Sequence, residues 1–463
     1  MRFRGSLAKG LLLALTISLI PVVAVAAQKI TPGTACKVLN QKVVYQSKTY
    51  TCTKSGKKSV WNKGVAVKVT TPTKNISYSS PSVLSDDIEV CKIKDVSRSR
   101  GFTGAGFPAW NTLTPSTGTV KWALIPIDFS DLPGEKNFRS RVDDQMKLLS
   151  EWYSTVSEEK LKIEWVVADK WVRVPGVTTD YVIPTSVNVD RAPNGPKFFQ
   201  NAMDASDPVF DFSKIQTVNF ILPQGQTFLG QGTQGFPWDV VVKNYMSKEG
   251  PISSYSIPGQ YFDLPGKTYW SYWAHEFGHA IGIPHVGASV GEPTPFHPLD
   301  LMGAQDGPSR ELTGWLRFYA RWLPDEKVYC KEIKNLTKVE LTLAPLSEKE
   351  TGIKLAIFPL NATKAVMIES RRVTKFSCTT PTKRDGVLVY FYDATLGHGD
   401  NFLTVVSPMG RKLEDDSCRK LNGKTPLTKD ELLRKGDKVT IDGITIEVIA
   451  HGNYDKVLVS RNP

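Results

Sequence analysis

The spacing of hydrophobic and polar positions predicts a mixed α/β segment in the first half of the chain. Residues 120–127 form a near-continuous apolar run with the length of a buried strand. Apolar side chains then recur at helical spacing over residues 142–156, as in an amphipathic helix. Residues 161–165 alternate between apolar and polar, and residues 215–222 are mostly apolar, so each stretch predicts a further strand.

Beyond Pro324 the pattern changes to that of short strands. Residues 339–343 alternate, residues 365–369 and 387–392 are strand-like, and residues 439–448 predict a hairpin around an Asp-Gly turn. Several short strands at this spacing predict a β-sandwich. The fold class is therefore expected to be α+β.

Two further segments lie before and after the helix predicted over residues 269–280. Residues 224–237 contain four glycines and several glutamines. We expect there either an edge strand beside a cleft, along which an extended peptide could add as a further strand, or a surface loop. Residues 312–323 predict a helix.

The stretch between these segments, residues 269–280, is apolar on nearly every side, which is typical of a buried helix. Its aromatic residues are expected mainly in the core, with a specificity pocket as the alternative; they are Tyr269, Trp270, Tyr272, Trp273 and Phe277. His275 and His279 lie four residues apart, so their rings project from the same face of the helix.

Gly282 and His285 complete this pattern. A glycine three residues after His279 can take a positive φ and end the helix, which would return His285 to the point where the two rings converge. Three neutral imidazoles leave one position of a tetrahedral zinc ion open, as in catalytic sites. The alternative is a core helix whose polar groups are merely satisfied. The other histidines, expected at the surface or in loops, are His297, His398 and His451.

Glu276 follows the first histidine by one residue. It therefore lies about 100° around the helix, where it would flank a metal ion without binding it. Zinc lowers the pKa of a bound water to roughly 7. Glu276 is then the expected general base for this water.

The pattern H-E-x-x-H-x-x-G-x-x-H that begins at His275, followed by D-L-M-G at residues 300–303, resembles the metzincin signature with its Met-turn. The resemblance implies a zinc endopeptidase with His275, His279 and His285 as metal ligands and Glu276 as the catalytic residue. It also implies that Met302 lies in a tight turn beneath the ion.

Four further stretches resemble the immune inhibitor A-like secreted metalloproteases. They are residues 125–131, 152–161, 367–372 and 386–390. The resemblance implies a twisted zincin-type sheet before the zinc-binding helix and a β-rich region after it. The chain departs from that family at the third ligand, where its members usually have aspartate and this chain has His285.

Residues 1–27 have the pattern of a secretory signal peptide. Three basic residues precede an apolar run that ends in Ala24-Val-Ala26. The run is short for a membrane span, although a retained anchor is the alternative. No later stretch is long and apolar enough to cross a bilayer, so we expect a secreted or extracellular protein without a transmembrane anchor after signal cleavage.

Export would place the six cysteines in an oxidising compartment, where disulfides are favoured. The expected pairs are Cys36–Cys52, Cys91–Cys330 and Cys378–Cys418, although the last four cysteines allow three connectivities. Some metzincins are kept latent by an upstream cysteine that occupies the open zinc position. Cys91 could act in this way, although the surrounding residues match that switch poorly.

Basic charge is concentrated near the N-terminus. Residues 28–75 contain ten lysines and no acidic residue, whereas the chain after residue 75 has a net charge of about −1. Residues 28–68 resemble short envelope-associated modules of secreted actinobacterial proteins and could bind an anionic polymer of the cell envelope. The alternative is a solvated surface that keeps the protein soluble. No nucleic-acid-reading motif is present.

Changes in composition divide the chain into five segments: a signal peptide (1–27), a small basic module (28–68), a Thr-, Ser- and Pro-rich linker (69–85), a catalytic domain (86–325) and a C-terminal β domain (326–463).

Calcium is a further cofactor to consider. Four aspartates of the C-terminal segment could hold it, although their spacing matches no defined loop and solvated turns are the alternative: Asp393, Asp400, Asp415 and Asp416.

The function expected from these features is that of a secreted zinc endopeptidase acting on extracellular proteins. Two alternatives remain at this point. One is an envelope-binding or adhesive protein with a structural or vestigial zinc site, which does not account for Glu276. The other is an enzyme that cleaves peptide bonds of a wall polymer.

Overall fold

The computed structural model describes residues 31–45, 48–66, 75–97, 104–110, 112, 114–182, 194–229, 231–235, 245–259, 263, 269–287, 296, 299–305, 310–377, 385–397, 400–413 and 430–462. The chain divides into two compact units, Met1–Thr73 and Lys74–Pro463. The predicted signal peptide lies outside the described residues. None of the described helices is long and apolar enough to cross a membrane.

The first unit contains a small antiparallel sheet. Its strands are β1 (Lys42–Tyr45), β2 (Lys48–Ser55), β3 (Lys58–Trp61) and β4 (Val65–Ala66), and β2 pairs with each of the others. Cys36 is bonded to Cys52, which confirms the predicted disulfide. Tyr50 and Cys52 are buried, and Gly56 takes a φ of +61° in the turn between β2 and β3. The lysine-rich segment is therefore built on an ordered β unit.

A six-stranded mixed sheet organises the first part of the second unit. Its strands are β5 (Gly118–Asp128), β6 (Leu161–Val167), β7 (Val172–Arg173), β8 (Thr217–Ile221), β9 (Gln231–Gly235) and β12 (Ser254–Gly259), while β10 (Met246–Ser247) and β11 (Gly250–Pro251) pair separately. The order is β6-β5-β8-β12-β9, with β7 also paired to β5. All pairs are parallel except β12–β9, which is antiparallel at the edge. The strands predicted at residues 120–127, 161–165 and 215–222 are confirmed. Of the two alternatives for residues 224–237, an edge strand is found over Gln231–Gly235.

Helices lie on both faces of this sheet. They are α1 (Arg139–Val156), α2 (Gly195–Ser206) and α3 (Tyr269–Ala280). Trp122 and Leu124 of β5 belong to the hydrophobic cluster that contains α1 and α3. Ala123 and Ile125 belong instead to the cluster that contains α2. The apolar run in β5 is continuous because a strand covered on both faces needs apolar side chains on both.

Two more sheets follow. The first has five strands in the order β13 (Val328–Cys330), β15 (Leu355–Pro359), β16 (Lys364–Arg371), β17 (Gly386–Asp393) and β18 (Leu403–Val405). The second has four strands in the order β14 (Lys338–Leu343), β21 (Asp455–Arg461), β20 (Ile444–His451) and β19 (Lys438–Ile441). Val366 of β16 and Val457 of β21 lie in one hydrophobic cluster, so the two sheets share a core. Asp442 and Gly443, both at positive φ, form the turn of the predicted hairpin. The described architecture is thus mixed α+β, with several sheets and few helices.

Helix α4 (Gly314–Tyr319) is shorter than the helix predicted over residues 312–323. The hydroxyl of Thr313 caps its start by accepting the N–H of Leu316 at 3.2 Å. Arg321 takes a φ of +68°, which is incompatible with a continuing right-handed helix. Single turns of 3-10 helix occur at Ile88–Cys91, Thr178–Tyr181, Asp325–Lys327 and Ile333–Asn335.

The second face of the five-stranded sheet packs against the part of the unit that contains α3. Met367 of β16 and Tyr390 of β17 lie in the same hydrophobic cluster as Trp315 of α4 and Phe277 of α3. Residues on both sides of position 325 therefore contribute to one core, and β16 comes close to the segment that follows α3.

Cys91 and Cys330 form the second described disulfide, as predicted. While this bond is intact, the thiolate of Cys91 is not available to occupy a metal site. The third predicted pair, Cys378 and Cys418, lies outside the described residues.

Candidate metal centre

Helix α3 carries the first two candidate ligands. The rings of His275 and His279 have centroids 5.0 Å apart, and both residues are buried. The aromatic residues of the helix are also buried, as expected for core positions: Tyr269, Trp270, Tyr272, Trp273 and Phe277. The hydroxyl of Tyr153 on α1 donates to the carbonyl of Ala274 at 2.6 Å. This bond joins α1 to the turn of α3 that precedes His275.

The end of α3 turns the chain back on itself. Gly282 has a φ of +90°, and its N–H donates to the carbonyl of His279 at 2.9 Å. The N–H of Ile283 donates to the carbonyl of Gly278 at 2.8 Å. These two bonds form a Schellman motif, whose left-handed residue is usually glycine. An added Cβ at Gly282 would lie 3.2 Å from Cγ2 of Thr112, so both conformation and space favour glycine.

His285 completes a group of three imidazoles. Its ring centroid is 4.8 Å from that of His275 and 4.3 Å from that of His279. One ligand nitrogen from each ring lies within 4.8 Å of the others, and the Nε2 atoms of His275 and His285 are 2.9 Å apart. Two nitrogens bound to one tetrahedral zinc at 2.0–2.1 Å are roughly 3.3 Å apart. The three histidines could therefore hold a metal ion after small shifts of the rings.

Hydrogen bonds fix the direction in which two of these rings can bind. Nδ1 of His275 lies 2.8 Å from the carbonyl oxygen of Leu301, and Nδ1 of His279 lies 2.8 Å from that of Ile283. A carbonyl oxygen only accepts, so the proton of each neutral ring is on Nδ1. Nε2 is then the unprotonated nitrogen of each ring and the one that could bind a metal ion. Backbone carbonyls hold many metal-binding histidines in this way.

Met302 lies in a tight turn against α3. The carboxylate of Asp300 accepts the N–H of Met302 at 2.8 Å, and the carbonyl of Met302 accepts the N–H of Val286 at 3.1 Å. A Cβ added at Gly278 would lie 2.7 Å from the Sδ of Met302, so the thioether packs directly on the helix. The turn thus contacts both α3 and the residue that follows His285.

Glu276 is half-buried on α3. Burial raises the pKa of its carboxyl to about 7, because the charged form loses hydration. A divalent cation held nearby would lower this pKa again, because positive charge favours the carboxylate.

Two buried charged residues next to the Met302 turn were not predicted as part of the site. They are Glu369 and Arg371. Arg371 donates from Nη1 to the carbonyl of Leu299 at 3.0 Å. The sequence signal for Glu369 and Arg371 is their position in strand β16 just after four consecutive apolar residues, since a buried ionisable group needs a partner.

The aspartates considered for calcium are only partly described. Asp393 accepts the N–H of Thr395 at 2.9 Å and lies 3.3 Å from Nζ of Lys364. Asp400 lies 3.3 Å from the N–H of Gly397, and Asp415 and Asp416 are outside the described residues. Within the described ranges, the one group of three or more side chains that could hold a metal ion is the histidine triad.

His451 is not an isolated surface residue. It ends strand β20, and its Nδ1 lies 2.7 Å from the buried carboxylate of Asp455. His297 and His398 lie outside the described residues.

No protein-family model matches this chain, and a search of curated proteins gave no match. Similar solved structures include metalloproteinase-II from Bacteroides fragilis, with 15% identity over 48% of this chain and 57% of that chain and a TM-score of 0.28. The chain thus spans a little over half the length of that metalloproteinase. Wild-type OgpA from Akkermansia muciniphila has 10% identity over 76% of this chain and 96% of that chain, with a TM-score of 0.26.

A catalytically inactive OgpA in complex with an O-glycopeptide substrate, glycodrosocin, has 10% identity over 76% of this chain and 95% of that chain, with a TM-score of 0.24. The weak structural neighbours of this chain therefore include a metalloproteinase. TM-scores this low do not establish a shared fold, and the geometry of the three histidines carries the functional conclusion instead.

Proposed function

We propose that this chain is a secreted zinc-dependent endopeptidase that hydrolyses peptide bonds of extracellular proteins. The observation that carries the proposal is the convergence of His275, His279 and His285, two of whose rings are held with the proton on Nδ1. Imidazole is the commonest protein ligand of metals, and three of them leave a tetrahedral zinc with one open position. A structural zinc site would have four protein ligands.

The six-stranded sheet and α3 constitute, in this proposal, a zincin-type catalytic domain over residues 86–325 with a metzincin-like Met-turn at Met302. Two features support this assignment: the packing of Met302 on α3 and the antiparallel edge strand β9. The two C-terminal sheets constitute a β-sandwich over residues 326–463, supported by their shared core. The immune inhibitor A-like metalloproteases are the relatives that the sequence motifs favour.

The residues of this site have separate roles in hydrolysis. His275, His279 and His285 hold the zinc ion, which when bound would polarise the scissile carbonyl and acidify a water molecule. Glu276 takes a proton from the attacking water and passes it to the departing amine. An extended peptide substrate adds as a strand along β9, the edge of the sheet.

Secretion is supported by two features. Residues 1–27 have the pattern of a signal peptide. The disulfides Cys36–Cys52 and Cys91–Cys330 are typical of proteins that function in oxidising compartments.

The proposal is tested with purified protein on an unrelated, denatured protein substrate, with and without a chelator. We expect hydrolysis that the chelator abolishes and that added zinc restores. Glu276→Gln should keep zinc and lose activity by at least about 10²-fold, because general base catalysis contributes roughly that much or more. The matched control is Glu249→Gln, an exposed position that should behave like wild type. Hydrolysis that survives both the chelator and Glu276→Gln would rule out the mechanism.

A second function, binding to an anionic polymer of the cell envelope, is supported by the charge of the first unit. Residues 31–66 contain seven lysines and no acidic residue. Three of these lysines surround the β2–β3 turn and are exposed: Lys54, Lys57 and Lys58. Local positive charge that no acidic neighbour offsets attracts polyanions.

Binding is tested on the full chain by co-sedimentation with purified cell walls at increasing salt. We expect wild-type protein to bind at low salt and to be released as screening increases. A variant with Lys54, Lys57 and Lys58 replaced by glutamine should bind several-fold more weakly but keep its peptidase activity. Equal binding of variant and wild type would argue for a merely solvated surface. Chelator-sensitive release of wall peptides would indicate the wall polymer, instead of protein, as substrate.

A further inference from the structure

Glu369 and Arg371 of β16 form a buried ion pair beside the turn that carries Met302. Their side chains are 0% and 4% exposed. Arg371 donates from Nε to Glu369 and from Nη1 to the carbonyl of Leu299 at 3.0 Å. Two charges are costly to remove from water unless good hydrogen bonds compensate them. The bond to Leu299 means that this compensation includes the backbone that leads into the Met302 turn.

Glu369 also binds the segment that follows this turn. Its Oε2 accepts the N–H of Gly314 at 2.7 Å and the hydroxyl of Tyr390 at 2.8 Å. A Cβ at Gly314 would lie 2.9 Å from that same oxygen, so the close approach requires glycine. The neighbouring Thr313 donates its N–H to Oδ2 of Asp300 at 2.7 Å. The pair therefore contacts the turn directly through Arg371, and indirectly through the Glu369–Gly314 bond beside Thr313.

The turn passes these restraints to the first metal ligand. Oδ1 of Asp300 accepts the N–H of Met302 at 2.8 Å, which sets the conformation of the residues between them. The N–H of Leu301 donates to the carbonyl of Glu311 at 2.7 Å, and the carbonyl of Leu301 accepts from Nδ1 of His275 at 2.8 Å. The orientation of the His275 ring thus depends on where this turn is held.

We propose that Glu369 and Arg371 are positioning residues of the metal centre, which act on His275 through the Leu299–Met302 turn. This inference rests on the proposed metal-binding function of the three histidines. Loss of outer partners of this kind typically lowers metal affinity by about 10–100-fold. The metal centre then includes residues of the C-terminal sheet, far beyond the predicted domain boundary at position 325.

The experiment compares wild type with Arg371→Met and Glu369→Gln. The first variant removes the hydrogen-bond donors of the arginine but keeps much of its volume, and the second removes the charge of the carboxylate without changing its shape. Each folded protein is titrated with Zn²⁺ against a chromophoric chelator. It is then loaded with Co²⁺, whose visible absorption bands report the geometry of the bound ligands. We expect zinc affinity to fall by about 10–100-fold in both variants, with altered Co²⁺ bands.

Arg372→Met is the matched control. Arg372 lies next to Arg371 on the chain, but its ion pair is with the buried carboxylate of Asp455 at 2.9 Å. This variant should lose stability but bind zinc and Co²⁺ like wild type. An equal loss of zinc affinity in Arg372→Met would overturn the proposal, because the effect would then reflect general destabilisation. Wild-type affinity and spectra in Arg371→Met and Glu369→Gln would overturn it as well.

If Arg371→Met does not fold, Arg371→Lys replaces it. Lysine keeps the charge but lacks the planar fork that bonds Glu369 and Leu299 together, so zinc affinity should still fall several-fold. Affinity equal to wild type would overturn the proposal here too. A failure of the proposed metal-binding function looks different, because wild-type protein itself would then bind no zinc.

Discussion

Nδ1 of His275 donates to the carbonyl of Leu301, 26 residues further along the chain, at 2.8 Å. Leu301 directly precedes Met302, whose side chain packs on α3 at Gly278. One turn therefore supports the helix that carries two candidate ligands and fixes the tautomer of the first.

The left-handed conformation of Gly282 should matter for metal binding as well as for stability. Gly282→Ala places an L side chain at a φ of +90°, which costs about 1–2 kcal/mol of the free energy of unfolding and displaces His285. Gly410→Ala is the matched control, because Gly410 has a φ of +75° with open space around it. Denaturant unfolding should show similar losses for both variants, whereas a zinc titration should show weaker binding for Gly282→Ala alone. Equal zinc affinities would mean that the turn does not position His285.

The contact between Met302 and α3 can be tested separately. Gly278→Ala puts a Cβ 2.7 Å from Sδ and 3.0 Å from Cε of Met302, so the flexible end of that side chain must move. Alanine stabilises a helix by up to about 1 kcal/mol over glycine. We therefore expect little net change in the free energy of unfolding but altered Co²⁺ absorption bands and weaker zinc binding. Bands identical to those of wild type would show that Met302 has no influence on the ligands.

Cys91 should contribute to stability and not to latency. Cys91→Ser and Cys330→Ser both remove the same disulfide, so each should lower the free energy of unfolding by about 2–5 kcal/mol without raising the proposed peptidase activity of the folded protein. Denaturant unfolding and the peptidase assay check the two expectations. A latency switch predicts the opposite pattern, in which Cys91→Ser alone increases activity.

Acid unfolding should depend on the pair formed by His451 and Asp455. Burial alone would raise the pKa of the Asp455 carboxyl, but hydrogen bonds and charge from His451 and Arg372 lower this pKa overall. A lowered pKa in the folded state stabilises the protein fully above the unfolded pKa of about 3.9, and this contribution is lost as the pH falls through the folded value. His451→Ala should therefore raise the pKa of Asp455 and move the midpoint of acid unfolding to higher pH.

Circular dichroism as a function of pH measures this midpoint. Near neutral pH, His451→Ala should lower the free energy of unfolding by about 1.5–3 kcal/mol, as for the loss of a hydrogen bond to a charged group. Lys438→Ala is the control, because Lys438 pairs with Glu447 at an exposed position, where ion pairs contribute little. An unchanged midpoint in His451→Ala would contradict the prediction.

Much of the central sheet could be predicted because its pattern is local. Strand β5 is buried on both faces, so its apolar side chains are consecutive and its position is evident from composition alone. The end of α3 was equally clear, since Gly282 supplies the conformation that a Schellman motif requires.

The length of α4 could not be predicted in this way. Its apolar spacing continues beyond the helix, but the positive φ of Arg321 ends it, and no residue type near that position requires such a conformation. The cap at Thr313 is visible in the sequence only once the helix start is known.

The bonds of Glu369 and Arg371 beside the candidate metal centre could not be predicted, for a different reason. Arg371 bonds to Leu299 across 72 residues, and Glu369 bonds to Gly314 across 55. Spacing within a helix or strand carries no information about such pairs, because they depend on how β16 packs against the rest of the unit. The three histidines, by contrast, lie within eleven residues, so local geometry alone brought them together.

The most direct test is a zinc titration of the purified chain after removal of bound metal, with His279→Ala in parallel. We predict about one tightly bound zinc ion per chain in wild type, as in single catalytic sites. The His279→Ala variant should retain the fold but lose this binding. A folded wild-type chain that binds no zinc, or a variant that binds it equally well, would contradict the account.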